Sequence, residues 1–282
     1  MPDADDTRAA LERALAERFG ETFEVPADTP GLDELARAAA HRSRRKWTQR
    51  PVDPALLRVL LGCAFSAPSK SDLQQADVIH LADRAKVKAV ADLIPDMPWI
   101  NDAPVVLVFC GNARRFHQLF EWRGRSFANE HLDAFFNPAV DGALVLMNFI
   151  RAADAAGLTC CPISAVRNRP REVSAILGLP DYVFPIAGLC AGYPAEEGRI
   201  TPRLPLAVTV HTDTFDETGL AEKIAAYDRR RHGLLPYRRQ RGERAFGKAD
   251  FYGWSEDKAR QYAEPAREDW GAFVREKKFR LD

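Results

Sequence analysis

Six consecutive residues, His41-Arg42-Ser43-Arg44-Arg45-Lys46, bring an imidazole, a hydroxyl and four cationic groups into one short stretch at the end of an apolar helical pattern. Serine and backbone N–H groups can donate to phosphate oxygens while arginines pair with them bidentately, which is the chemistry of a phosphate cradle. The same stretch also reads as a solvated basic helix end, because cations favour a helix C-terminus. A second stretch, Ala67-Pro68-Ser69-Lys70-Ser71-Asp72-Leu73-Gln74, is a turn of small and hydroxylated residues. Its amides and the Gln74 side chain suit the polar edge of a heteroaromatic ring, although such a turn is also simply a loop. In a third stretch, Arg199 to Leu206, Pro202 and Pro205 restrict the backbone around a single cation, Arg203. Arg229, Arg230, Arg231, Arg238, Arg239, Arg241 and Arg244 form a second concentration of positive charge, read either as a solvated linker or as an anion site.

Other reactive residue types are present without the pattern their chemistry needs. His117, Glu121, Glu130 and His131 are scattered around Trp122 and Phe127 without metal-ligand spacing on one helix face, so no metal is expected. No G-x-S-x-G elbow supports a hydrolase triad. The five cysteines, Cys63, Cys110, Cys160, Cys161 and Cys190, are odd in number and never form C-x-x-C, which predicts buried thiols rather than a disulfide framework or a zinc site.

The elements that must position these residues follow from periodicity and punctuation. Apolar residues recur at helical spacing over 7–19 and 31–41, so two helices open the chain, with Pro26 and Pro30 between them. Asp53-Pro54 reads as the cap and first residue of a helix that ends before Pro68, and Asp83 caps another that reaches Leu93. Residues 77–82, 104–111, 158–163, 183–191 and 207–211 read as strands, and 104–111 has the continuous apolar run of a buried central strand. Asn137-Pro138 repeats the cap-plus-proline signature and predicts a helix over 139–156, apolar almost all round and closed by Gly157. Such a helix is buried in a core or against a partner subunit. A short helix over 170–177 ends at Gly178, and beyond residue 216 the chain is helical, basic and aromatic. Helices outnumber strands and no Gly-rich βα turn appears near the start, so the fold class is α+β around one central sheet.

The 40 basic residues balance 40 acidic ones among 282, so no global field exists to hold nucleic acid or an anionic membrane. Any anion site has to come from local clustering. Sixteen Phe and five Trp predict a sizeable core. No apolar run approaches the roughly 20 residues that span a bilayer. Residues 1–13 lack a cationic region followed by an apolar block, which predicts a cytoplasmic protein.

Taken together and in this order, the segments resemble those of the nitroreductase family, in its oxygen-insensitive, NADPH-dependent nitroreductase and flavin reductase branch. The family's H-R-S-x-R motif stands here as His41 to Arg45, and its Ser-rich turn ending in Leu-Gln as Ser69 to Gln74. Its I-G-G-x-R-N segment stands as Ile163-Ser164-Ala165-Val166-Arg167-Asn168. Its G-L-C-x-G-x-P strand is Gly188 to Pro194, its K-P-R-L-P is Thr201-Pro202-Arg203-Leu204-Pro205, and Gly253-Trp254-Ser255 resembles its tail. The likeness begins at about residue 32. It implies one FMN-binding domain over 31–282 behind an N-terminal helical extension of residues 1–30. It further implies a mainly antiparallel central sheet surrounded by helices and an intertwined homodimer.

What the resemblance implies for the site is residue by residue. His41, Arg42, Ser43 and Arg203 would meet the FMN phosphate, and Arg45 would polarise the N1 and C2 carbonyl edge of the flavin. Ser69, Ser71 and Gln74 would line the ribityl chain and pyrimidine ring, and Pro162, Ile163, Ser164 and Ala165 would pass N5 and the ring face. Arg229, Arg230 and Arg231 would recognise the 2'-phosphate of NADPH, with NADH as the other possible donor. No side chain need act as a nucleophile, since the cofactor carries the chemistry. The implied activity is reduction of nitroaromatics, quinones or flavins by ping-pong hydride transfer. A flavin-dependent dehydrogenase or dehalogenase on the same scaffold, or a flavin-binding protein without turnover, are the alternatives. Three positions depart from the family pattern: Thr201 replaces Lys, with Lys46 or Arg44 available as substitutes; Ser164-Ala165 replaces Gly-Gly; and Asp96-Met97-Pro98-Trp99 stands where the family has a flavin-edge Gln. Phe116, Phe120, Trp122, Phe127, Phe135 and Phe136 read either as a mobile cover over the flavin or as core and dimer contacts.

Overall fold

In chain order the helices and strands of the computed structural model, which describes residues 3–282, begin with α1 (Ala4–Phe19), α2 (Leu32–Ala39), α3 (Pro54–Phe65), β1 (Ala76–His80), α4 (Arg84–Asp92) and β2 (Val105–Asn112). They continue with α5 (Arg114–Trp122), α6 (Leu132–Ala155), β3 (Thr159–Ile163), α7 (Pro170–Leu177) and β4 (Val183–Gly192). The chain closes with α8 (Leu206–Thr209), α9 (Leu220–Leu234), α10 (Glu243–Phe246), α11 (Trp254–Tyr262) and α12 (Trp270–Glu276). Two units divide these elements: residues 3–41 with 199–266 form one, and residues 42–198 with 267–282 the other. The first boundary expected from the sequence, after residue 30, falls inside the first unit, where α1 and α2 share an apolar core of Leu11, Ala14, Ala39 and Ile200.

The second unit is built on a four-stranded sheet in the order β1-β2-β4-β3, antiparallel throughout. All eight residues of β2 are buried, as its unbroken apolar run requires. Val106, Val108 and Cys110 meet α4 and α7 on one face, while Val105, Leu107 and Phe109 meet α3 and α6 on the other. Alternation along one strand thus feeds two cores. The helix starts read from the sequence hold where a short polar side chain is free to bend back: Asp53 accepts from the Ala55 N–H at 2.7 Å and Asp83 from the Ala85 N–H at 2.8 Å. Gly178 closes α7 at φ 65°. Gly142 lets α6 lie close on the sheet, because a Cβ there would run into the Ile186 side chain. Among the described residues no helix is long and apolar enough to cross a membrane.

Two elements differ from expectation. The helix predicted from Asn137 begins earlier, at Leu132, and runs through Pro138. Asn137 lies inside the helix and its side-chain oxygen accepts from Lys70 Nζ at 3.3 Å; His131 is the cap instead, its Nδ1 accepting from the Asp133 N–H. Residues 207–211, expected as a strand, lie in and just after the short helix α8, where Val208 and Val210 donate to Pro205 and Leu206. Their β-branched side chains find no sheet neighbour there, so local hydrogen bonding decides. The predicted thiols Cys110, Cys160, Cys161 and Cys190 are buried, but Cys63 is exposed.

The aromatic run sorts into three parts. Phe116, Phe120 and Phe127 pack on one another, Phe135 packs on Phe184 and Phe279, and Trp122 and Phe136 are exposed. His117 stacks on Tyr182 with ring centroids 3.7 Å apart, and its Nε2 is buried without a hydrogen-bond partner. Burial holds its pKa below the ordinary histidine value, with the Glu130 charge opposing. A folded-state pKa below the unfolded one means the unfolded chain binds the proton more readily. The stability this histidine contributes is therefore complete above about pH 6.5 and is lost as the pH falls below it. His117→Phe is expected to shrink the drop in Tm between about pH 7 and about pH 5.5. Thermal unfolding at the two pH values checks this, and an equal drop in both proteins would count against it.

Candidate functional site

The turn predicted from Ser69 to Gln74 is held by a residue the sequence reading passed over. Asp141, on α6 and only 2% exposed, accepts from the Ser69 hydroxyl at 2.7 Å, the Lys70 N–H at 3.1 Å and the Gln75 N–H at 3.1 Å. The Ser69 oxygen in turn accepts from the Gln74 N–H at 2.7 Å. Tied at these points, the chain passes through the left-handed region at Ser71, Asp72 and Gln74, with φ of 48°, 57° and 51°. A non-glycine residue there costs about 1 kcal/mol, so the carboxylate must hold the turn against that strain. Ser71 and Gln74 are exposed, and the turn borders a cavity of about 440 Å³ that also touches Phe65, Gln75 and Val145. Gln75 Oε1 is buried there without a partner. The signal for Asp141 was a lone acid in the otherwise apolar stretch from Ala139 to Ala143.

Residues 42–48 run extended beside β3. The Arg44 N–H donates to the Cys160 carbonyl at 3.2 Å, the Trp47 indole donates to Thr159, and the Thr48 N–H donates to Tyr193. This anchoring leaves Ser43 and Arg45 exposed. Arg42 gives Nη1 to the Glu197 carbonyl at 3.2 Å, while its Nε is buried with no partner. Arg44 donates to the same carbonyl at 2.6 Å, and Lys46 pairs with Glu196 at 3.1 Å, so both are engaged within the second unit. The Arg44 pKa is lowered by burial and by the neighbouring Arg42 charge. The Arg45 guanidinium lies over the Trp99 ring, 5.8 Å from its centroid. It also opposes the burial that pushes the Cys161 thiol pKa up. Along β3 and the turn after it, Ile163 and Ala165 point into the core, whereas Pro162 and Ser164 are exposed. Only the backbone of Ile163 and Ala165 can therefore meet a ligand. Arg267, unnoticed in the sequence because nothing in its surroundings marks it, donates to Ser164 Oγ at 3.2 Å and Asn168 Oδ1 at 2.7 Å.

In the first unit, Arg203 is exposed between buried Pro202 and half-buried Leu204. Its N–H donates to the Arg18 carbonyl at 2.8 Å, and the Tyr227 hydroxyl donates to the Pro202 carbonyl at 3.1 Å. Arg203 lines a cavity of about 780 Å³ together with Arg18, Thr201, Tyr227, Arg231 and Trp254. His41 offers its carbonyl to Arg18 Nη2 at 2.6 Å. The three arginines predicted for NADPH are successive residues of α9 and point in different directions. Arg229 is exposed; Arg230 donates to the carbonyls of Ala16, Glu17 and Arg18; and Arg231 is buried, 4.0 Å from the Tyr237 ring centroid and bonded to the Leu235 carbonyl. Farther on, Arg241 donates to the buried Asp257 carboxylate at 3.1 Å, while Arg238, Arg239 and Arg244 are exposed.

No group of three or more His, Cys, Asp and Glu side chains able to hold a metal ion occurs among the described residues. His131 and Glu130 have structural tasks instead, the first as the α6 cap and the second accepting from the Tyr182 hydroxyl at 3.1 Å.

Comparison with known proteins places these features. The model of the nitroreductase family matches residues 38–193, and that of the family's C-terminal domain matches residues 201–282. The chain is 36% identical over 193 residues to an FMN reductase [NAD(P)H] of Bacillus subtilis, an alignment covering 67% of this chain and 77% of the relative. It is 33% identical over 189 residues to an oxygen-insensitive NADPH nitroreductase of Salmonella typhimurium, covering 67% of this chain and 76% of that one. Among solved structures, NfrA2 of B. megaterium superposes with a TM-score of 0.80 at 28% identity, covering 89% of this chain and 99% of the other. The oxidoreductase YcnD of Bacillus subtilis gives the same TM-score of 0.80 and the same coverage at 30% identity.

Asp141→Asn replaces an acceptor oxygen by an amine that faces N–H groups, and is expected to cost about 2 kcal/mol of stability. It should also speed hydrogen exchange at the Lys70 and Gln75 amides, and unchanged exchange at both would show that the carboxylate does not hold the turn.

Proposed function

This chain belongs to the nitroreductase family, and from that premise we propose that it is an FMN-dependent NAD(P)H oxidoreductase that passes two electrons to a nitroaromatic, a quinone or a flavin in ping-pong turnover. The observation that carries the reading is the exposed strip of Pro162 and Ser164 with the anchored, positively charged segment 42–45 running alongside it. The residues present fit the cofactor. Arg42 Nε is a buried donor without a partner, Ser43 and Arg45 are exposed on a fixed backbone, and in the turn at 69–75 Ser71 is exposed while Gln74 lines a cavity.

FMN, when bound, supplies the acceptance of a hydride from NAD(P)H and its delivery to the second substrate. The protein's own residues hold and polarise. Arg45 would supply a positive charge to the N1 and C2 carbonyl edge of the flavin, and the Trp99 ring lies beneath its guanidinium. Ser71 and Gln74 would hold the ribityl chain and pyrimidine edge, while Ser69 shapes the turn through its bonds to Asp141 and Gln74. The Pro162 and Ser164 side chains and the backbone of Ile163 and Ala165 pass the ring face. Of the residues expected at the phosphate, Arg42 and Ser43 belong to the second unit and His41 and Arg203 to the first. For the NADPH phosphate, Arg229 is the exposed member of its trio, with Arg238 and Arg239 exposed farther along; Arg230 and Arg231 support the backbone around them.

A homodimer is part of the same proposal. Val140, Leu144 and Met147, four and then three residues apart on α6, are 40%, 38% and 45% exposed, and Val59 and Phe65 on α3 are 61% and 48% exposed. Apolar stripes of this kind are covered by a partner in the assembled state. Use of NAD(P)H suits a cytoplasmic location.

The purified protein is expected to absorb in the visible as a flavoprotein and to bleach on anaerobic mixing with NADPH; a flavin that stays oxidised defeats the enzyme reading. Arg45→Ala is expected to lower kcat/KM for a quinone about tenfold, the loss of one charge-assisted contact. Steady-state assays at fixed FMN saturation check this. Light scattering should return twice the chain mass of 31.5 kDa, and the mass of a single chain would remove the dimer.

A further inference from the structure

Helix α1 lies outside both stretches matched by the family models, yet its last turn is bound to two of the segments assigned to the FMN phosphate. The side chain of Arg18 donates to the Ala39 carbonyl from Nε at 3.1 Å and from Nη2 at 2.9 Å. The same Nη2 donates to the His41 carbonyl at 2.6 Å, and Nη1 donates to the Thr201 carbonyl at 3.3 Å. The main chain of the same residue closes the arrangement, its carbonyl accepting from the Arg203 N–H at 2.8 Å and from Arg230 Nη1 at 3.3 Å. One residue thus ties the end of α2, His41 and the 201–203 segment together.

The tie has an electrostatic meaning. His41 follows directly on the C-terminus of α2, where unpaired carbonyls carry roughly half a negative charge. That is the wrong end of a helix for an anion, whose natural seat is an N-terminus. Thr201 brings no charge of its own. The Arg18 guanidinium places a full positive charge on the Ala39 and His41 carbonyls, cancelling the repulsion that the helix end would exert on a phosphate at His41.

We propose that Arg18 is a positioning residue for the FMN phosphate: from the N-terminal helix it fixes His41 and Arg203 and neutralises the carboxyl end of α2, so that an anion can bind there. The proposal rests on the FMN reading above, and it concerns only the phosphate end of the cofactor. Riboflavin, which has the same ring and ribityl chain without the phosphate, is therefore the discriminating ligand. Full-length apoprotein is titrated with FMN and with riboflavin, following quenching of flavin fluorescence, for wild type, Arg18→Ala, Arg18→Lys and Arg8→Ala. Arg8 anchors the same helix through Asp5 and the Ala27 carbonyl and touches neither 39–41 nor 201.

Arg18→Ala is expected to weaken FMN at least tenfold while the Kd for riboflavin moves less than twofold, and Arg8→Ala to leave both unchanged. Arg18→Lys keeps the charge but cannot bridge three carbonyls, so a smaller loss confined to FMN is expected; it carries the test should Arg18→Ala not fold. Equal weakening of FMN and riboflavin in the Arg18 variants would mean a general structural role and overturn the proposal, as would unchanged FMN affinity. A wild-type protein that takes up neither flavin overturns the FMN reading itself and this proposal with it, whereas wild-type binding with unaltered variants overturns this proposal alone.

Discussion

Strand β2 is buried along its whole length, and a sheet packed between helices on both faces offers a ligand only its edges and its strand ends. In the second unit the segments of chemical interest lie at the sheet's two edges: the 69–75 turn runs into β1 at one, and segment 42–48 lies beside β3 at the other. β3 pairs with β4 alone, and its free side receives the extended segment 42–48 through the Arg44 N–H and the Trp47 indole. Pro162 suits that edge, since it has no N–H to leave unpaired. Burial then separates the groups: Ile163 and Ala165 are spent on the core, while Pro162 on β3 and Ser164 in the helical turn after it form the exposed strip.

The turn that leads into β1 depends on one buried carboxylate. A carboxylate buried without donors would be strongly unfavourable, and Asp141 avoids this by accepting three hydrogen bonds from the 69–75 turn. The same bonds hold the turn in a backbone conformation its residues would not choose, which directs Ser71 and Gln74 outward. Stability of the turn and presentation of its polar groups are one effect seen from two sides.

The positive charge of a chain with no net charge divides by function in a way composition does not show. Arg18, Arg230 and Arg231 donate to backbone carbonyls, Arg241 to a buried carboxylate, and Arg44 to the 197 carbonyl. These guanidiniums organise backbone. Arg45, Arg203, Arg229, Arg238, Arg239 and Arg244 are exposed and are open to an anionic ligand.

The sequence by itself determined the order and type of nearly every element, because these follow from short-range patterns: Asp-Pro at the start of α3, the apolar run of β2, Gly178 after α7. It also indicated the stretches that carry chemistry, since clustered arginines, hydroxyl-rich turns and paired prolines are local features. It misjudged the start of α6, where the cap-plus-proline signature at Asn137-Pro138 lies inside a helix that His131 caps. The division of roles within each stretch was decided only by tertiary structure, because it depends on partners far away in the chain. Asp141 meets Ser69 across 72 positions, and Arg18 meets Thr201 across 183. No local period reports such pairings. They arise when packing removes backbone carbonyls and amides from water and each must find a partner nearby.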